Sequence, residues 1–394
     1  MTQRAIERLT GLSYEGRMLV VVALGWSTIQ CGRFLLSPLL PRIMETLAFS
    51  PAGIGAALTA LGLVYAAVQF PSGTYSDRLS RSTVIVPAFV VLLASFVAIS
   101  LAVTAWLFVL AVVLIGVGKG LYASPSRALL GDLFTSRRGR ALGIYAAGTD
   151  VGGLAASGIA VVVLATVAWQ VAFLPVLVVL ALVTVLYVAW NREPYIVEPV
   201  RLAPGETAGR IAATREQREI LLAFAVFYFF VGGLTNFFPT LLVAGGFSET
   251  IAGASFALLF AAGIVTKPSA GELSDRFPRV LVAITGLLLA LAGMAIVLIA
   301  TTLPLVALGT ILAAVGYKTQ FPIADTLVME TAPDAEMGGD LGAARAIFMG
   351  ANALGPGFVG LVAHVSDFAT AFWILAATLL VSIGLLARQY RRQH

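Results

Sequence analysis

The segment from residue 73 to 81 reads GTYSDRLSR, and the segment from 271 to 279 reads GELSDRFPR. Gly, Ser, Asp and both Arg recur at matching positions, 198 residues apart in a chain of 394. A period of half the chain marks two homologous halves. Each copy closes one apolar run and precedes another, which places both on short loops at one face of whatever the runs build.

Composition says what they build. The chain is 59% hydrophobic and 11% charged, with a mean hydropathy of +0.96, whereas soluble domains carry roughly 25% charged residues. The fold class expected is an all-α integral membrane protein of twelve transmembrane helices in two pseudo-symmetric six-helix bundles. A crossing of ~30 Å of hydrocarbon takes about 20 residues. Twelve such runs lie at 18–44, 52–75, 83–104, 106–133, 138–165, 169–190, 219–245, 249–275, 279–301, 303–331, 338–364 and 367–389. The domains follow: a cytoplasmic N-terminal segment 1–17, a bundle 18–190, a linker 191–218, a second bundle 219–389 and a tail 390–394.

Arginines orient the spans. Arg4, Arg8 and Arg17, then Arg78 and Arg81, Arg137, Arg138 and Arg140, the 192–218 stretch, Arg276 and Arg279, and Arg388 to Arg392 all fall on one side. The opposite loops hold Arg42 as their exception, and the acidic loop 330–340 dissents with Glu330, Asp334, Glu336 and Asp340. The positive-inside tendency makes the basic side cytoplasmic and the protein a multi-pass cell-membrane protein with both termini inside. The net charge of +5 therefore reports topology rather than nucleic-acid binding. The polar N-terminus does not read as a cleaved signal. One cysteine, Cys31, gives no intramolecular disulfide or thiolate cluster, and His364 and His394 are too far apart to suggest a site, so no metal or cofactor is expected. No catalytic spacing of His, Cys or carboxylates argues for an enzyme.

The loop sequence resembles the G-x-L-x-D-R-x-G-R-K signature of the major facilitator superfamily. Gly73, Asp77, Arg78 and Arg81 match it in the first copy, where Tyr75 and Ser80 depart; Gly271, Leu273, Asp275, Arg276 and Arg279 match in the second. The linker and RRGRALGI at 137–144 fit as well. The resemblance implies a secondary transporter that rocks two bundles, with helices 1, 4, 7 and 10 lining a central cavity near the bilayer midplane. An Asp beside Arg at a cytoplasmic helix end can bond a neighbouring helix terminus while that face is closed, so the motif residues are expected to act as a gate; anchoring of topology is the competing reading.

Ionisable residues inside spans are costly and are functional candidates by default. All three lysines, Lys119, Lys267 and Lys318, fall within spans, while every loop cation is Arg. Arg33, Lys119, Lys318, Asp150, Asn236 and Asn352 lie near mid-membrane. Three cations against one acid leave an excess that an anionic substrate would balance. Alternatively, Arg33 or Lys119 pairs permanently with Asp150, while Lys318 lacks an acid at its depth. Lys267, a turn before the second motif copy, is expected to reach headgroups or Glu272 by snorkelling. Arg127 and Arg345 read as gate or loop partners, with Asp325 a candidate partner for Arg127. GTDVGG at 148–153 also resembles the helix-5 signature of drug antiporters, but Thr149 replaces its Pro and Gly116 stands where those carry Arg.

The expected function is transport of a small organic anion, proton-coupled as a symporter or by exchange, in a monomer. Arg33, Lys119 and Lys318 would bind the anion; Tyr122, Asn236, Gln320 and Asn352 would supply neutral hydrogen bonds; Asp150 would carry the proton. The alternatives are efflux of lipophilic or cationic drugs and a non-transporting receptor or sensor.

Overall fold

Short polar caps between long apolar runs leave the chain little choice but a sequence of antiparallel helices. The computed structural model describes residues 13–164, 168–196, 198, 214–330 and 337–393. It contains α1 (Tyr14–Leu47), α2 (Pro51–Arg78), α3 (Arg81–Ser100), α4 (Ala105–Leu133), α5 (Arg138–Leu164), α6 (Leu174–Trp190), α7 (Arg215–Ala244), α8 (Glu249–Arg276), α9 (Arg279–Ile299), α10 (Leu303–Glu330), α11 (Met337–Val365) and α12 (Phe368–Gln393), with a 3₁₀ turn at Trp169–Phe173. The caps are legible locally: the side chains of Ser13, Ser50, Ser80 and Ser248 accept from the first-turn amides of α1, α2, α3 and α8, and Thr214 with Gln217 forms a capping box on α7. Among the described residues, eleven of the twelve helices are long and apolar enough to cross a membrane, α6 together with its 3₁₀ turn. The exception, α10, carries Lys318, Thr319 and Gln320 in succession at its middle. The first twelve residues, most of the linker, and Asp334 and Glu336 of the acidic loop lie outside the described residues.

The two halves repeat one packing scheme. In the first, α1 packs on α5 and α6, and α4 on α2 and α3; in the second, α7 packs on α11 and α12, and α10 on α8 and α9. The halves meet through α2 with α11, α5 with α8, and α1 with α7. The helices approach closely where glycine removes the side chain. A Cβ on Gly232 would strike the carbonyl of Asn352, and one on Gly316 the backbone of Ala290, so each fixes a helix crossing.

The start of α1 and the end of α12 lie at one face, and the opposite face carries contacts between the halves. There Arg42 Nε of α1 lies 2.9 Å from Glu249 Oε1 of α8, and Ser37 donates to the Asn236 carbonyl of α7 at 2.8 Å. Gly55 and Gly360 let α2 and α11 touch backbone to backbone beside Pro51 and Pro356.

At the terminal face the repeated loops brace each half internally. Arg81 binds Asp77 and, at 3.0 Å, Asp132 at the end of α4; Arg279 binds Glu330 at the end of α10. Asp132 and Glu330 stand 198 residues apart, as Arg81 and Arg279 do, so the duplication extends to the acids. Neither brace crosses between halves. Arg276 binds Glu272 of its own helix at 2.5 Å, and Arg78 and Asp275 make no ion pair among the described residues. A Cβ on Gly73 would come 3.7 Å from Ser124, whereas one on Gly271 would meet open space.

Candidate functional site

Between the halves lies a cavity of about 390 Å³. On α1, Trp26, Gln30 and Arg33 share one helical face and line it, Phe34 beside them; α2 adds Tyr65 and Gln69, one turn apart. Lys119 and Arg127 enter from α4, Tyr228 and Asn236 from α7, Phe260 and Lys267 from α8, Lys318 and Asp325 from α10, and Arg345 and Asn352 from α11.

Asp150 of α5 lies behind this lining and is buried. Its position is set by glycines: Gly152 presses against the α1 backbone at Ser27 and Cys31, and Gly153 against the ring of Phe260. The carboxylate therefore faces the other half. Lys318 Nζ donates to Asp150 Oδ1 at 2.6 Å and Lys267 Nζ to Oδ2 at 2.5 Å. Gly263 makes the space for this triad, since a Cβ there would stand 2.8 Å from Asp150 Oδ1 and 3.0 Å from the Lys318 stem.

The first half's cations are held differently. Lys119 Nζ sits over the rings of Tyr65 at 4.3 Å and Trp26 at 5.6 Å, and the Arg33 guanidinium over Phe34 at 4.6 Å. Among the described residues, Arg33 Nη1 is buried without a hydrogen-bond partner, as is Gln30 Oε1. Neither Arg33, Lys119 nor Arg127 has a carboxylate partner among the described residues. Aromatic faces compensate a desolvated cation only partly, so this side of the cavity keeps uncompensated positive charge. Arg127 lies over Trp26 and Tyr145, each at 5.8 Å. Arg345 grips Asp325 with two bonds, at 3.1 and 2.5 Å.

Several sequence expectations change here. Lys318 does have an acid at its depth, because Asp150 reaches across the interface. Asp150 pairs with neither Arg33 nor Lys119, since its helix turns it toward α8 and α10. Lys267 goes to Asp150 rather than to Glu272, which Arg276 already occupies. Asp325 takes Arg345 rather than Arg127. Arg33, Lys119, Lys318, Asn236 and Asn352 all line the cavity, although the amide of Asn236 donates to Gly232 O at 2.7 Å and that of Asn352 to Tyr228 O at 3.0 Å. Tyr122 and Gln320 do not line it: Tyr122 donates to the Val22 carbonyl at 2.8 Å, and Gln320 to the Ala283 carbonyl of α9 at 3.0 Å. Trp26, Gln30, Tyr65 and Gln69 were not singled out from the sequence; the shared-face spacing of Trp26, Gln30 and Arg33 was the available signal. Among the described residues no three His, Cys, Asp or Glu gather as a metal site.

Comparison with known proteins gives the same fold. A family model described as Major Facilitator Superfamily matches residues 22–264 and 220–393. The chain superposes on a bacterial homologue of the human lysosomal transporter Spinster, in its inward-facing occupied conformation, with TM-score 0.83 at 18% identity, covering 96% of this chain and 97% of that one. The human organic anion transporter MFSD10 (TETRAN) matches with TM-score 0.70 at 18% identity over 95% and 100% of the two chains. The nucleoside transporter NupG matches with TM-score 0.76 at 13% identity over 95% and 99%. A search of curated protein sequences gave no match.

Proposed function

The chain belongs to the Major Facilitator Superfamily, and from that premise we propose that it moves a small organic anion across the membrane by alternating access, coupled to protons or to a counter-moving anion. One observation carries the choice of anion: six cationic side chains, Arg33, Lys119, Arg127, Lys267, Lys318 and Arg345, converge on one cavity, and two carboxylates, Asp325 in its lining and Asp150 behind it, balance them. Buried charge without a counter-ion costs several kcal/mol per ion, and a bound anion removes that cost. A hydrophobic cation would add to it, which disfavours the drug-efflux reading.

MFSD10, an organic anion transporter, agrees with this reading, at an identity that speaks for fold alone. Alternating access draws support from the lopsided contacts: the halves touch at the far face through Arg42 and Glu249, and the cavity lies toward the terminal face, which we assign to the cytoplasm from its arginines. The repeated braces of Arg81 and Arg279 would keep each half rigid as the halves rock. Asp150 is the proton carrier in this scheme. Protonating it would free Lys267 and Lys318 for the substrate.

The test is uptake of radiolabelled carboxylates by proteoliposomes holding the purified protein. A charge-assisted hydrogen bond is worth about 1.5–3 kcal/mol, a loss of roughly ten- to a hundredfold. Lys318→Ala should lower uptake by that much, and Asp150→Asn should uncouple it from a proton gradient. Uptake and coupling unchanged in both variants would refute the assignment.

A further inference from the structure

Four of the cavity's six cations, apart from Arg127 and the Asp325-bound Arg345, form two groups. Arg33 and Lys119 stand in the first half over aromatic faces, with no carboxylate partner among the described residues. Lys318 and Lys267 stand in the second half and share the single carboxylate of Asp150, which itself belongs to the first half. That carboxylate is a tethered anion, docked across the interface on two ammonium groups as a free anionic group would dock. Even so, the triad keeps one positive charge more than it can neutralise.

A strip of aromatic rings joins the two groups. The Arg33 guanidinium lies 4.6 Å from the Phe34 centroid, Phe34 lies 4.5 Å from Phe260, and Lys318 Nζ lies 4.6 Å from Phe260. These successive steps of 4.6, 4.5 and 4.6 Å put the poles no more than about 14 Å apart. For a ligand lying between the poles, charge-assisted hydrogen bonds of ~2.8 Å at each end leave at most about 8 Å between the two groups they hold. That is the reach of a short carbon chain, and Phe34 and Phe260 present an apolar surface along it.

We propose that the cavity is built for a small dianion held end to end, one anionic group on Arg33 and Lys119 and the other on Lys318 and Lys267, where it exchanges with Asp150. This rests on the anion-transport reading and names its substrate class. A monoanion would satisfy one pole and leave the other to Asp150. A dianion satisfies both, and by displacing Asp150 it releases the tie that joins α5 to α8 and α10. Binding at the second pole is thus also the event that frees the two halves to move.

The experiment measures ligand affinity on the purified full chain by calorimetry and by thermal shift. The probes are α,ω-dicarboxylates of four to seven carbons, each beside the monocarboxylate of equal length, with tetraphenylphosphonium as the cationic control. At least one dicarboxylate should bind about tenfold or more tightly than its monocarboxylate, one further charge pair being worth that factor. Lys318→Ala should collapse this ratio to near unity. Asp150→Asn should raise it, because the internal competitor is gone, and the dicarboxylate should raise the melting temperature of Asp150→Asn more than that of the parent. The wild-type ratio needs no variant, so a poorly folding substitution cannot shelter the proposal. Monocarboxylates binding as tightly as every dicarboxylate would overturn the dianion inference while leaving anion transport standing. Binding of tetraphenylphosphonium alone would overturn both.

Discussion

Two lysines on one aspartate make the buried triad unequal in its parts, and substitution can read that inequality. Replacing Lys318 by Met keeps the length and apolar stem of the side chain and leaves Asp150 paired with Lys267 at 2.5 Å. Replacing Asp150 by Asn keeps the shape of the carboxylate and leaves two ammonium groups facing each other. Those groups stand on opposite oxygens of one carboxylate, on the order of 6 Å apart, where at an effective dielectric near 20 their repulsion is about 3 kcal/mol. Lys318→Met loses a charge-assisted bond of about 1.5–3 kcal/mol but is relieved of that repulsion, so its stability should stay within about 1.5 kcal/mol of the parent's. Asp150→Asn loses both bonds and keeps the repulsion, a cost of about 3–5 kcal/mol as for other broken buried pairs. Lys318 and Asp150 are each only 3% exposed as side chains, so water does little to soften the difference. Reversible unfolding of the two variants and the parent in mixed micelles, followed by tryptophan fluorescence, measures it. Equal stability of the two variants, or a less stable Lys318→Met, would refute the assignment of charges in the triad.

Two further outcomes follow from named contacts. Arg81→Ala and Arg279→Ala each cut a brace at the terminal face, remote from the cavity, so ligand affinity in calorimetry should hold while transport turnover in proteoliposomes falls; lost affinity with normal turnover would remove the bracing role. Asp367, in the loop before α12, accepts from the Thr370 amide at 2.7 Å and its hydroxyl at 2.9 Å, and these bonds hold its carboxyl below the usual carboxylate range. A carboxyl depressed on folding stabilises the protein above its unfolded pKa of ~3.9 and loses that contribution as pH falls through the lower folded value. The melting temperature of Asp367→Ala should therefore lie below the parent's at neutral pH and converge on it in acid; a constant gap down to pH ~2 would contradict the linkage.

Local chemistry made much of the fold legible. The motif at residues 73–81 and its copy at 271–279 gave the two halves, and apolar runs gave the helices, because a chain crossing hydrocarbon must satisfy its own backbone within each span. The serine and threonine caps at several helix starts are a further local signal, one the apolar runs did not need. The same repeat extends to Asp132 and Glu330, which only the folded braces brought to notice. Composition also exposed the costly residues, Arg33, Lys119, Asp150 and Lys318, since a charge inside an apolar run stands out whatever its partner.

The partners themselves were decided by tertiary structure. Periodicity along one helix tells which residues share a face but not which neighbour that face meets. Depth alone offered Asp150 the cations of its own half as one alternative, and it binds Lys318 and Lys267 of the other. That choice is made by the contacts of Gly152 with α1, of Gly153 with Phe260, and by the room at Gly263, all side-chain absences whose meaning depends on what lies opposite. Tyr122 and Gln320 show the converse: their spans and depths suit a cavity, but the rotation of α4 and α10 turns them onto Val22 and Ala283. The sequence by itself determined the repeat, the helices and the presence of buried charge. Helix rotation and close packing decided which charges meet, because ion pairing depends on a few ångströms of separation between side chains that lie more than a hundred residues apart in the chain.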